Sequence, residues 1–482
     1  MTLRGQREAR DRIRAREGGD EAGILFRGAT VLTMGRRGTL DADVLVRGDR
    51  IDAVAPGLGN SLPAEAAVVV DATGMLLMPG LVDSHVHAWE GQLRGLAPDA
   101  DFNEYVALTH DGLARHYAPE DIAVAEQLTA AQAINAGTTT IVDNSHNSRT
   151  REHSDAAIEA LLSTGIRAVY AAGPAQARPH DGQLPADLLR LRDEYFAGQD
   201  RVALRMFDVQ PSVTTWTFAR DHGFDVCAEV GPWIPDLEGL VRSGLMREGH
   251  TYNHCTGLSP DLWRAIADSG AAVNLVPRSD AQFGLGGFAP VLAANRAGVQ
   301  EGLSSDNELS YGHDLFSEMR TLLTIQRGLC AAEEERGAAD VPRRYGAEDV
   351  LRAATVGGAR NAGLASEIGT IEPGRKADLV LLALDEVPTR LRGSAAGTVV
   401  SFAGIGSVDT VLVDGRVRKW GGRLVGVRYD ELARRGQRSR DRILAAFGVA
   451  EDRAGSGVRR RVDASRADET VVSLLAGSGH AD

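Results

Sequence analysis

Apolar and polar positions follow two different textures along the chain. From Ile24 they fall into short β-rich runs, ILFRGATVLTM, DADVLVRGDRIDAVAPG and AAVVVDATGMLLMPG, punctuated by glycine and aspartate as hairpins and turns are. The same texture returns after Leu364 in EIGTIEPGRKADLVLLAL and VDTVLVDGRVRKWGGRLVG. Two such pieces flanking the middle predict one small β-sandwich domain built from both chain ends, residues 23–79 and 364–425. Between them, residues 80–363 alternate strand-like runs (TTTIVDN, IRAVYAAG, AAVNLVP, VQEGLSSD) with helical stretches (HSDAAIEALLSTG, DLWRAIADSG, APVLAANRAG). Strand–helix alternation over that length predicts an α/β fold, a (β/α)8 barrel. A doubly wound sheet competes, but no glycine-rich phosphate turn follows any strand. Residues 1–22 read as a solvated, flexible arm, 426–450 as an Arg-rich C-terminal helix and 451–482 as a flexible tail.

Composition narrows the function classes. The 482 residues carry a net charge of −13, which repels nucleic-acid backbones and favours a small soluble substrate. No apolar run approaches the roughly 20 residues of a membrane helix, and the charged N-terminus lacks a signal-peptide core. Three cysteines, Cys227, Cys255 and Cys330, cannot form a disulfide framework, so a cytoplasmic location is expected. Lys376 and Lys419 are the only lysines.

The strongest chemical signal is LLMPGLVDSHVH. Strand side chains alternate between faces, so His85 and His87 point the same way and can grip one metal ion. Their place at a strand end before a polar loop is where barrel active sites form.

The blocks PGLVDSHVHAWEGQLRGL, AGTTTIVDNSHN, YNHCTGLSPDLWRAIADSGAAVNLVPRSD, GLSSDNELSYGHDLFSEMR and GTIEPGRKADLVLL together resemble the amidohydrolase superfamily, in its cytosine deaminase and triazine chlorohydrolase-like branch. The resemblance spans residues 24–447. It implies a (β/α)8 barrel with a β-sandwich from both chain ends, and homo-oligomers, commonly dimers, among relatives. It also implies that His85 and His87 are metal ligands on the first strand, and that Asp306 is the last-strand aspartate that binds metal and shuttles the proton. His254 matches the histidine that polarises substrate or water.

The sequence departs from that pattern on the fifth strand. Glu229 falls where a metal-binding histidine is expected, and Pro232 where many relatives carry a glutamate that protonates the leaving amine. With Glu229 as a ligand the donor set is two imidazoles and two carboxylates, which weakens a dication's pull on water and admits Fe(II) or Mn(II) beside Zn(II). Alternatively Glu229 contacts substrate or acts as acid, and His254 completes the coordination. Binuclear relatives bridge their metals with a strand lysine; the corresponding stretch RVALRMFDVQPS has none, so one metal is expected.

Trp89, Gln92, His146, Asn147 and His313 sit near strand ends and are candidate substrate contacts, within pocket-shaping loops 88–118, 144–153, 176–190 and 308–314. His110, His116 and His153 read as helix or loop surface. Cys227 reads as a packed thiol deeper on the face of Glu229, and Cys255 as facing the outer helices. The resulting expectation is a mononuclear metal-dependent hydrolase attacking an sp2 carbon bonded to nitrogen, as in a deaminase or an amidine or lactam hydrolase. A lyase, dehydratase or cyclase on the same scaffold, and a metal-free binding protein, remain open alternatives at this point.

Overall fold

The computed structural model describes residues 23–60, 62–63, 66–176, 178–384 and 393–448. The expected arm (1–22) and tail (451–482) lie outside the described residues. The first five strands are β1 (Gly23–Leu32), β2 (Thr39–Arg47), β3 (Arg50–Ala55), β4 (Ala67–Asp71) and β5 (Leu76–Pro79). Then come the eight strands β6 (Leu81–Val86), β7 (Thr138–Ser148), β8 (Arg167–Pro174), β9 (Val202–Asp208), β10 (Val226–Val230), β11 (Thr251–His254), β12 (Ala272–Leu275) and β13 (Glu301–Leu303). Four more follow: β14 (Leu379–Leu382), β15 (Val408–Val413), β16 (Arg416–Trp420) and β17 (Arg423–Leu424).

Strands β6 to β13 pair in sequence order, all parallel, which follows from the helices that connect them. The barrel closes where β6 meets the chain just after β13. There the His87 amide donates to the Asp306 carbonyl (2.9 Å) and the Asp306 amide donates to the His85 carbonyl (3.0 Å). The seam therefore runs through three of the residues singled out for metal binding.

The other sheet runs β17-β16-β15-β14-β5-β1-β2-β3, with β4 beside β1, and so joins both chain ends in one largely antiparallel layer. Its alternating residues, among them Phe26, Val44, Leu77, Leu379 and Leu412, bury a small core of their own. The β15–β16 turn uses Asp414-Gly415, both with positive φ (54° and 71°), as a two-residue hairpin requires.

Asp414 also helps to pin this sheet to the barrel. The Arg167 guanidinium at the start of β8 forks onto Asp378 (2.8 and 3.1 Å) and reaches Asp414 (2.9 Å), while Lys376 bonds Asp49 and Asp200. Lys376 is thus a structural cation. The helix Tyr429–Phe447 packs on the helix Pro119–Asn135. Among the described residues no helix is long and apolar enough to cross a membrane.

Candidate metal-binding active site

Strand alternation turns His85 and His87 to the barrel axis at the mouth, as the sequence pattern requires, and Glu229, His254 and Asp306 meet them there. His85 Nε2 lies 3.0 Å and His87 Nε2 3.3 Å from Asp306 Oδ1; the same two nitrogens are 3.7 and 4.0 Å from Glu229 Oε1. His254 Nε2 is 3.2 Å from Glu229 Oε2. Donors bonded to a tetrahedral cation at about 2.1 Å stand about 3.4 Å apart, so these separations are those of a coordination shell. The donor set fits a divalent cation.

Neighbours orient the donors. His87 Nδ1 faces the Asn144 carbonyl at 2.9 Å, so Nδ1–H donates there and Nε2 keeps its lone pair for the centre. The Asn144 side-chain amide abuts His85 Nδ1, and its Oδ1 has no other partner; with Oδ1 turned to Nδ1–H, His85 Nε2 is likewise freed. His254 Nδ1 bonds Asp280 Oδ1 at 2.7 Å. Asp306 accepts a hydrogen bond from the Ser279 hydroxyl.

Charge is concentrated here despite burial. Burial alone would protonate Glu229 and Asp306. The facing imidazoles outweigh it, holding Glu229 at about 2 and Asp306 well below the usual carboxylate range. Burial opposes the charge on His254 too, but Asp280 and Glu229 overcome it and raise its pKa well above the ordinary value. Two buried, ionised carboxylates demand adjacent positive charge, from protonated imidazoles or from a dication.

His254 and Asp306 pair this chemistry with unusual backbone, φ 62° and 66°, and Cys255 follows at 56°. Left-handed non-glycine residues cost of order 1–3 kcal/mol each and concentrate at functional sites. Cys255 is fully buried in the main hydrophobic core, and Cys227 is a packed thiol 3.0 Å from the Thr251 hydroxyl.

Above the cluster opens a cavity of about 680 Å³ whose wall includes His87, Glu229, His254 and Asp306. The candidate substrate contacts divide. His146 lines this cavity, and Trp89 is buried behind it, ring edge to ring face at 5.4 Å. Gln92, Asn147 and His313 lie away from it. Gln92 bonds Ser439 of the C-terminal helix, Asn147 receives Arg149, and His313 is buried between Ser305 and Thr138, its carbonyl accepting from Gln132 of the helix Pro119–Asn135. His153 is buried, bonding the Tyr117 carbonyl, and His116 is only half-buried. His110, read from sequence as surface, is buried and faces the cavity. Sequence reasoning also missed Asp280, three residues beyond the strand-like run AAVNLVP, and the aromatic wall of Phe102, Tyr105, Trp233 and Phe283.

The Amidohydrolase family model matches residues 76–206 and 237–418. The chain belongs to the amidohydrolase family. Its matched segments contain His85, His87, His254 and Asp306, while Glu229 falls in the gap between them. This amidohydrolase is 28% identical over 444 residues to a 5-methylthioadenosine/S-adenosylhomocysteine deaminase of Desulforudis audaxviator, covering 87% of the chain and 99% of the relative. A deaminase of the same name from Moorella thermoacetica is 26% identical, over 82% and 93%. Among solved structures, a zinc-bound adenosine deaminase from Xanthomonas campestris superposes with TM-score 0.76 at 24% identity, over 88% of this chain and 98% of that one. An atrazine chlorohydrolase from Arthrobacter aurescens complexed with zinc gives 0.74 at 22%, over 86% and 99%. Family and site together make the protein a metal-dependent hydrolase of the amidohydrolase type, acting on carbon–nitrogen bonds other than peptide bonds.

Proposed function

We propose that this amidohydrolase is a mononuclear deaminase-type hydrolase that removes an amino group from an sp2 carbon of a small nitrogen heterocycle. The observation that carries the reading is the convergence of two imidazoles and two ionised carboxylates at the floor of a mostly apolar cavity. The deaminase names of the relatives support the reaction class, and the zinc in the similar structures favours zinc as the ion. His85, His87, Glu229 and Asp306 would hold the cation, which supplies Lewis-acid polarisation and acidifies a coordinated water.

The chain's own residues then divide the work. Asp306, ionised and within reach of the floor, accepts the proton of the attacking water. His254, kept cationic by Asp280, donates from Nε2 to the charge that develops on the substrate's ring nitrogen or substituent. Pro232 offers no proton, so Asp306 returns the one it took to the leaving ammonia. Positioned proton transfer of this kind contributes typically ~10²–10⁴-fold. Phe102, Trp233 and Phe283 give the heterocycle a face to stack on and keep bulk water from the reacting carbon.

The test is ammonia release by the metal-loaded protein from 5′-methylthioadenosine, adenosine, cytosine and melamine in ¹⁸O-labelled water. Deamination places one ¹⁸O on the product carbon. A panel yielding neither ammonia nor labelled product overturns the reading, and product formed without ¹⁸O moves the protein to lyase or cyclase chemistry.

A further inference from the structure

One cavity residue is unexplained by the chemistry above. His110 lies within Ala107–Leu113, a stretch of π-helix in which the Ala114 amide bonds the Thr109 carbonyl five residues back. Such wide turns are rare and occur mostly at functional sites, because they give up regular hydrogen bonding to redirect a side chain. Here the turn aims His110 into the same cavity as Glu229 and Asp306. The residue is only 8% exposed, yet neither ring nitrogen has a hydrogen-bond partner, and Gln176 approaches the ring without a bond of normal geometry.

A buried imidazole with both nitrogens idle costs stability. Burial also keeps it neutral, pushing its pKa down to about 3, so one nitrogen donates while the other accepts. Its ring stands edge to face 4.6 Å from that of His146, which in turn is 4.5 Å from His87. The imidazoles form a line running from the candidate metal site along one side of the cavity. The other side is apolar: Phe102 faces Trp233 at 6.0 Å and Tyr105 stacks on Phe283 at 4.9 Å. Among the described residues that line the cavity there is no arginine or lysine to neutralise a phosphate or carboxylate.

We infer that His110 is a specificity-determining residue, hydrogen-bonding the polar edge of an uncharged nitrogen heterocycle whose reacting carbon lies over Asp306 and whose face packs on the aromatic wall. The inference rests on the function proposed above and names the recognising residue. A single donor or acceptor on the heterocycle's edge suits the neutral His110 imidazole, whose neighbour His146 is already held to His87 Nδ1 through Nε2 (3.1 Å).

The test uses His110→Phe, which keeps the ring and its packing but removes both nitrogens, and His110→Gln, which keeps a donor and an acceptor. Binding of 5′-methylthioadenosine, adenosine, cytosine and melamine is measured by calorimetry on protein carrying Asp306→Asn to prevent turnover; because Asp306 would also hold the cation, the samples are kept in excess divalent ion and compared only at equal, directly measured metal occupancy. With the best-bound probe, His110→Phe should weaken binding about 10- to 100-fold at unchanged metal content, and His110→Gln should recover part of the loss. In the otherwise native enzyme the loss in kcat/KM should fall mainly on KM. Equal binding by His110→Phe and its parent, or no binding of any probe, overturns the inference. Binding that depends on His110 in a protein that releases no ammonia would leave the inference standing and remove the deaminase reading. Ammonia release with affinity independent of His110 would do the reverse.

Discussion

Replacing Glu229 by glutamine decides what the fifth-strand carboxylate does. The substitution conserves shape and removes one negative charge from a group 3.7 and 4.0 Å from the two first-strand imidazoles and 3.2 Å from His254. If Glu229 is a ligand, the loss is sizeable. A four-ligand zinc site in a small domain is worth ~10–16 kcal/mol, so one ligand accounts for roughly 3–4 kcal/mol. A weak amide donor recovers part of this, leaving a drop in affinity of about 10- to 10²-fold, at 1.4 kcal/mol per tenfold.

The assay is competition against a chromophoric chelator of graded concentration, with total metal measured by mass spectrometry. Glu229→His is the counterpart. It supplies a third imidazole, should retain metal, and should move the acidic limb of the pH–rate profile to lower pH, because a dication facing one carboxylate fewer acidifies water more strongly. A Glu229→Gln protein with native metal affinity and abolished turnover would refute ligation and assign the carboxylate to proton transfer, with His254 completing the coordination.

Other consequences are as direct. Asp306→Asn should keep its fold by circular dichroism yet lose ~10²–10⁴-fold in kcat, and near-native turnover would remove Asp306 from the proton path. Stripping the metal with a chelator should lower the melting temperature, and re-adding a divalent ion at about 100 times its Kd should restore ~2.7 kcal/mol of stability. Arg167→Ala strands the buried Asp378 and should cost about 3–5 kcal/mol in denaturant unfolding, whereas an unchanged midpoint would show that the junction needs no charge pair. Burial raises Glu301 from 4.5 to about 7, against the bond it receives from Tyr345. A carboxyl whose folded pKa is raised prefers its proton in the native state, so its contribution is present below pH 4.5 and is lost as pH rises towards 7. The wild-type stability should therefore fall relative to Glu301→Gln by roughly 2–3 kcal/mol across that window, and parallel pH curves would contradict this.

Some of this protein is legible from one dimension because the signal is periodic. The alternation in LLMPGLVDSHVH puts His85 and His87 on one face, and the runs TTTIVDN, IRAVYAAG and AAVNLVP each coincide with a parallel barrel strand. The return of β texture after Leu364 correctly joins the chain ends, since β14 pairs with β5 on one side and β15 on the other. Direction is what periodicity does not carry. His146 lies within β7, whereas Gln92 and His313 follow β6 and β13 at a distance, and the chain packs them against the C-terminal helix and beside the helix Pro119–Asn135. His110 was invisible for a related reason. In an ordinary α-helix the spacing from Tyr105 to His110 would set the two on different faces; the extra residue of the π turn brings the rings to 5.1 Å.

The site and the barrel seam are the same object. The Asp306 main chain exchanges hydrogen bonds with His85 and His87, and its side chain meets their imidazoles from the same position. Only the left-handed backbone at Asp306 allows both, because an extended residue there would continue the ladder and carry its carboxylate off the axis. The same holds at His254, where the strand breaks into a left-handed turn as the ring swings between Asp280 and Glu229. Strain of order 1–3 kcal/mol per residue persists only where the surroundings over-determine the conformation. Here the surroundings are opposed charges, and a cation bound among them would tie the first strand to the last through side chains as the seam already does through the main chain.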